Sequence, residues 1–497
     1  MWSSPWTGGS RYELRDAIEP GVTSAIVVGS GPNGLAAALT LAKAGVEVTV
    51  LEAAARIGGG TRSSELTLPG LLHDECSGFH PLSFDTPFAR LAELEQHGLR
   101  WAWPEVQYSH PIGGEAGGAA VRSIDHTADG LAGDERAWRQ VFGPLVGRFG
   151  DIADDFLGPV LHVPEHPVSL ARFGLRAALP TAVLAKRFST DEARALFGGV
   201  AAHAMWPFRS ILSSAIGTAL GTAAHAYGWP VAVGGSAAIT TAMARALERH
   251  GGTIETDHRV RSVREVGSPD LVMLDLAPRA ALDLVGDAIP SRYRRALDRY
   301  RHGPAAFKVD FAVEDGIPWS HVPSRRAGTV HVGGDFAETA AAESAVHRGE
   351  MPERPFVLVG QQYLADPARS SGNLHPVYSY AHVPAGFAGD ATDAIERQIE
   401  RFAPGFRDRV VARHVQTTAD LSVRNANIVN GDILTGANSP RQLVFRPRVG
   451  LDPYSIGVPG HFLCSAATPP GAGAHGMCGY NAAMSALRHH RSRTRGS

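Results

Sequence analysis

The sequence predicts an α/β protein: a Rossmann-like nucleotide-binding unit with enough further chain for a second, mixed α+β domain. Three observations predict it. Residues 24–52 run through a buried-strand pattern, a glycine-rich turn, a small-residue helix pattern and a second strand pattern. Residues 460–487 repeat the order strand, loop, helix at the other end of the chain. The 497 residues exceed what one hydrophobic core ordinarily organises.

The first unit opens with "SAIVVGS", an apolar, largely β-branched run suited to a strand buried on both faces. Gly29, Gly31 and Gly34 follow as G-x-G-x-x-G, with Pro32 and Asn33 inside the turn. Gly29 allows the tight turn, Gly31 lets a diphosphate approach the backbone, and Gly34 lets the helix pack on the strand. The helix "GLAAALTLAKAG" closes at Gly45 and presents free N–H groups and a positive dipole end to phosphates. "VEVTVLE" is a second buried strand, which ends in Glu52 beside Ala53. Glu52 stands about 20 residues beyond the turn, where an acidic side chain accepts from a ribose hydroxyl.

The next residues are "EAAARIGGGTRS", in which Glu52, Arg56, Gly58 and Gly59 read E-x-x-x-R-x-G-G and Gly60, Thr61 and Arg62 follow. This extension resembles that of FAD-dependent amine oxidases, protoporphyrinogen oxidases and phytoene desaturases. The resemblance implies FAD, with the second glycine cluster at the flavin diphosphate. Arg56 or Arg62 would then neutralise phosphate charge; the alternative for Arg56 is a surface salt bridge.

"GHFLCSAATPPGAGAHGMCGYNAAMSAL" resembles the terminal flavin motif of the phytoene-desaturase-related family. The resemblance implies that Pro470, Gly476 and the free N–H near Met477 face the flavin, where a helix N-terminus stabilises negative charge. Ser465 stands where many relatives have glycine. "GWPVAVGGSAAITTAMARALERHGGTIETDHRVRSV" resembles the family's central element, a glycine-initiated helix leading into a strand that carries Val260, which meets the adenine end. Ile239, Ala242 and Ala246 share one face of that helix, and Gly251 ends it. "YSHPIGGEAGGAAVRS" and "FAPGFRDRV" resemble bacterial relatives of the mammalian pyridine nucleotide-disulfide oxidoreductase domain protein 2. The implied architecture is a discontinuous FAD-binding domain from residues 20–82, 225–290 and 450–490. Residues 83–224 and 291–449 form the substrate domain, 1–19 a leader and 491–497 a solvated tail. "FKVDFAV", "FVLVGQQYL" and "PVYSYAHV" read as strands of the substrate domain, and "TDAIERQIERFA" as an amphipathic helix.

Composition narrows the function. A net charge of -2 gives no basic field for nucleic acid. No run approaches the ~18 apolar residues of a membrane span. Three cysteines without a C-x-x-C pair exclude a disulfide scaffold and suggest a reduced, cytoplasmic setting. The histidines are scattered, so no metal is expected, and the "RHH" run falls in the tail. The segment 168–188 mixes apolar and basic residues; a helical hairpin covering the substrate cavity is preferred over peripheral membrane contact. There is one dinucleotide fingerprint, so a second, nicotinamide site is not expected. The reading is an FAD-dependent oxidoreductase, oxidase, dehydrogenase or desaturase, moving a hydride from a mostly apolar substrate to flavin N5, with oxygen or a quinone as acceptor. Its alternatives are a redox-neutral flavin isomerase and a non-catalytic flavin-binding protein. His80, Trp229 and His475 are candidates for the substrate pocket, and the catalytic acid or base is left open. FAD is expected to be non-covalent, with Cys478 packed as a small helix residue; a Cys478–flavin thioether is the alternative.

Overall fold

The computed structural model describes residues 23–494. The expected leader and the last three residues of the expected tail lie outside the described residues.

A five-stranded parallel sheet carries the nucleotide-binding unit. Its strand order is His461–Leu463, Leu271–Leu274, Ser24–Val28, Glu47–Leu51, Thr253–Glu255. Parallel strands need long crossovers, which is how residues from both ends of the chain and from its middle reach one sheet. Helix Pro32–Lys43 packs on this sheet between helices Ala237–Arg249 and Met477–Thr494. Its contact with the last helix is backbone-close: a Cβ on Gly479 would lie 1.8 Å from the Asn33 carbonyl oxygen. Ile239, Ala242 and Ala246 are all buried against this layer.

A seven-stranded mixed sheet forms the second body, ordered Val410–Gln416, Ala305–Glu314, Leu374–Val383, Val357–Gly360, Ala327–Val332, Val106–Gly113, Ala116–Ala120. Its pairings are antiparallel except that between Ala327–Val332 and Val106–Gly113. The helix Thr392–Phe402 buries Ile395, Ile399 and Phe402 against it, as its spacing requires. Together the two sheets give the α/β architecture expected from the sequence.

Four local expectations are corrected. Val260 lies in a loop, because the preceding strand ends at Glu255 and the chain turns through Asp257 at φ 56°. "FVLVGQQYL" is strand only to Gly360 and then a 3-10 turn, Gln362–Leu364. The last helix runs to Thr494, so the "RHH" run is helical rather than tail. The 168–188 segment forms helices Pro167–Ala177 and Thr181–Leu184, which do not line the cavity; the first packs on helix Ser214–Ala226, and that helix meets the cavity instead. Among the described residues no single helix is long and apolar enough to cross a membrane.

Candidate functional site

The turn between the first strand and first helix is a tight cradle. Gly29 takes φ 104°, a left-handed conformation that side chains resist, and its amide donates to Leu51 O. A Cβ on Gly34 would stand 2.1 Å from Gly29 O, so strand and helix could not meet. A Cβ on Gly31 would stand 2.6 Å from Asp275 Oδ2, and one on Gly59 3.0 Å from Gly31 Cα. The second glycine cluster therefore lies directly on the first.

Two buried carboxylates border the cradle, each at the C-terminal end of a parallel strand. Glu52 Oε2 accepts from the Ser30 amide (2.9 Å) and hydroxyl (2.6 Å), and Oε1 accepts from the Ala54 amide (2.8 Å). Asp275 Oδ2 accepts from the Gly34 amide at 3.0 Å, capping the helix from another strand. Burial pushes the Asp275 carboxyl up to about 7; the Gly34 and Gly31 amides oppose the shift and the Glu52 charge adds to it. A raised carboxyl favours the protonated folded state, so its stabilising contribution is complete below about pH 4 and is lost as pH rises through about 7. Asp275→Asn is therefore expected to be more stable than the parent at pH 8, by up to ~4 kcal/mol, with the gain vanishing near pH 4. Chemical denaturation at both pH values measures it.

A single cavity of about 530 Å³ runs from this cradle into the second body. Its wall contains Gly29, Gly31, Pro32, Asn33, Glu52, Ala53, Gly59, Gly60, Thr61, Arg62, Val260 and Pro470. His80, Trp229 and His475 line it too. Chain segments from both ends of the sequence thus share one enclosure. Five polar atoms of wall residues are buried without a hydrogen-bond partner: Asn33 Oδ1, His80 Nδ1, Thr329 Oγ1, Thr435 Oγ1 and His475 Nε2.

Gly34, Arg56, Gly476 and Met477 are not in the wall. Gly34 acts through packing. Arg56 is largely exposed and pairs with Glu75 at 2.8 Å, the surface salt bridge that was its alternative. Gly476 sits at φ 70°, and a Cβ there would meet Phe88 at 2.6 Å. The Met477 amide is not free: it donates to His475 Nδ1 at 3.1 Å. That bond fixes a tautomer. Nδ1 accepts, so neutral His475 carries its proton on the unpartnered Nε2. Burial lowers the His475 pKa to about 4, which keeps the ring neutral. Cys478 is buried outside the wall, with its thiol against Thr468 O and Gly471 O.

Several wall residues were not anticipated from sequence. Arg446 is buried, and its hydrogen bonds end on neutral oxygens of Gln442, Ala466 and Asn438. Asn427 clasps the backbone at Asp275 O and the Ala277 amide. Tyr378 and Tyr380 line the far part, with ring centroids 5.9 Å apart at 89°. Their i, i+2 spacing in "PVYSYAHV" puts both on one strand face, a signal legible in the sequence. His203 also lines the wall.

Residues 27–93 match the family described as NAD(P)-binding Rossmann-like domain. The mouse (Mus musculus) pyridine nucleotide-disulfide oxidoreductase domain-containing protein 2 is 23% identical over 566 residues, covering 93% of each chain. Putrescine oxidase, solved with putrescine bound, superposes with a TM-score of 0.59 at 19% identity, covering 95% of this chain and 99% of that one. An oxidoreductase from Methanosarcina mazei superposes at 0.57 with 14% identity, covering 94% and 100%. The fold is that of the amine-oxidase-like flavoproteins.

Proposed function

We propose that this protein is an FAD-dependent oxidoreductase acting on a largely apolar organic molecule, with FAD held non-covalently and electrons passed to oxygen or a quinone-like acceptor. The observation that carries this reading is the shared wall. The turn at Gly29–Asn33, the cluster at Gly59–Arg62 and the loop from Pro470 to His475 enclose one cavity. A nicotinamide enzyme has no need of the second and third segments at its dinucleotide.

The cradle fits such a ligand. Its glycines leave backbone exposed where a Cβ would intrude, and its unpartnered buried atoms await a polar ligand. The helix N-terminus and Gly31 would hold the diphosphate, Glu52 the ribose, and Val260 the adenine end. Gly59, Gly60, Thr61 and Arg62 would follow the diphosphate inward. His475 offers its Nε2–H, and Arg446 offers a buried positive charge. When bound, the flavin supplies two-electron chemistry. The chain supplies orientation and a dry wall, in which Ile216, Ala219 and Leu220 exclude water beside Trp229 and His80. The resemblance to phytoene desaturases and the name of the mouse relative both favour redox chemistry.

An amine substrate is a second reading. The Tyr380 ring favours it, although Lys308 already lies 4.3 Å over the Tyr378 ring, and the putrescine-bound structure has the same fold. Anaerobic mixing with unsaturated, hydroxylated and amine compounds tests the proposal. Loss of the oxidised flavin bands, restored by air or benzoquinone, is the expected result. Product formation without any bleaching would replace it with a redox-neutral isomerase.

A further inference from the structure

A buried arginine in the cavity wall has no counter-ion. Arg446 is 2% exposed and lines the cavity beside the loop from Pro470 to His475. Its Nε donates to Gln442 O (3.1 Å), Nη1 to Ala466 O (3.4 Å) and Nη2 to Asn438 Oδ1 (2.8 Å). All three acceptors are neutral, and Arg446 enters no ion pair among the described residues. The other arginines of the wall differ. Arg62 lies 3.6 Å from Glu52 and Arg424 lies 3.2 Å from Glu75, while Arg259 is exposed to water.

A guanidinium cannot shed its proton to escape burial. Three of its five N–H groups are used, and each terminal nitrogen keeps one. A buried charge without a partner is costly. The surrounding chain nonetheless fixes this one in place. Asn438 accepts from Nη2, and its own Nδ2 donates to Ala204 O at 3.0 Å, next to the wall residue His203. On the other side, a Cβ on Gly471 would stand 2.4 Å from Nη1, so the guanidinium lies directly on bare backbone. Leu434 and Leu443 line the wall on the same stretch of chain. Thr435 does too, and its Oγ1 is buried without a partner. A fixed positive charge thus borders an apolar part of the cavity.

We propose that Arg446 binds a carboxylate carried by the cavity's substrate, an otherwise apolar organic acid. A carboxylate is planar and has two oxygens, which suits two spare N–H groups on one guanidinium. The other source of negative charge is FAD itself. Its diphosphate is met by the Gly31 backbone and the N-terminus of helix Pro32–Lys43, and the unpartnered His475 Nε2–H serves the flavin. Arg446 is left over for the substrate. Calling the acid a substrate rests on the oxidoreductase reading; the anion site does not.

The test uses the full-length protein as purified and two probes of matched shape, benzoate and benzamide. Calorimetric titration at neutral pH gives both affinities. Benzoate should bind roughly 10–100-fold more tightly, the range of a hydrogen bond to a buried charged group. Arg446→Met should remove the preference. Arg446→Lys should keep part of it, because the charge stays and the planar fork is lost. Crystals soaked in bromobenzoate should show the bromine in the cavity and the carboxylate within hydrogen-bond distance of Arg446. The flavin reduction potential of parent and Arg446→Met, measured without probe, reports whether the charge acts on the flavin instead.

Equal binding of benzoate and benzamide by the parent overturns the proposal. So does a preference that survives Arg446→Met, or a bromobenzoate carboxylate seated away from Arg446. Equal binding together with a lowered potential in Arg446→Met would assign the charge to the flavin. If the variants do not fold, the parent affinities and the bromine position still decide. Visible spectra of the same samples report flavin separately. Flavin missing with the Arg446-dependent preference intact would count against the oxidoreductase reading alone.

Discussion

Arg369→Leu is expected to cost about 3–5 kcal/mol of folding stability, because it removes the cation from a buried ion cluster. Arg369 is 1% exposed and lies between the two bodies. It donates to Asp74 Oδ2 (2.7 Å), Asp366 Oδ2 (3.1 Å) and Ala232 O (2.8 Å). Asp74 in turn accepts from the Ser236 amide and the Ser63 hydroxyl, at the start of helix Ala237–Arg249. Asp366 accepts from the Gly234 amide. Leucine matches part of the volume and leaves two buried carboxylates without their cation. Burial alone would raise the Asp74 carboxyl; Arg369, the Ser236 amide and Ser63 outweigh it, and the net shift is downward. A lowered carboxyl stabilises the fold above its unfolded value of ~3.9 and loses that contribution as pH falls below it. The variant's deficit should therefore be largest at neutral pH and shrink near pH 3. Urea melts at both pH values check this, and adding Asp74→Asn should recover part of the loss. A deficit under about 1 kcal/mol at pH 7 would mean that the cluster is not held as described.

Gly31→Val should weaken dinucleotide binding sharply while the protein still folds. The atom in the way is Asp275 Oδ2, the end of a side chain that can give way into the cradle. The cost then falls on the ligand, roughly 100-fold in affinity. Gly34→Ala makes the contrast: its obstacle is the Gly29 carbonyl at 2.1 Å, which is backbone, so the strand–helix packing fails. Equilibrium dialysis against FAD, alongside thermal melting of both variants, separates the two effects. Full retention of FAD by Gly31→Val would remove the turn from the site.

Local periodicity made much of the fold legible in the sequence. The run Ser24–Val28, the glycine turn and the helix Pro32–Lys43 were readable because each is decided by neighbouring residues. Glu52 was legible because spacing along one strand fixes where it emerges. Its counterpart Asp275 was not: it reaches Gly34 only through parallel pairing of Leu271–Leu274 with Ser24–Val28, across 241 residues. Arg56 was misplaced for the same reason, since Glu75 claims it through a fold-level contact. At Met477 the helix start was legible, but its amide is spent on His475, two residues before it. Tyr378 and Tyr380 could have been found from strand alternation. His203 could not, because it reaches the wall from a turn that shares no local pattern with the strands beside it.

The most direct measurement is the identity of what the purified protein carries. Oxidised-flavin bands are expected in the visible spectrum, with one FAD per chain released on denaturation and identified by mass, leaving the polypeptide colourless. A folded sample that releases a nicotinamide dinucleotide instead, or that binds no added FAD, would contradict the FAD-dependent reading.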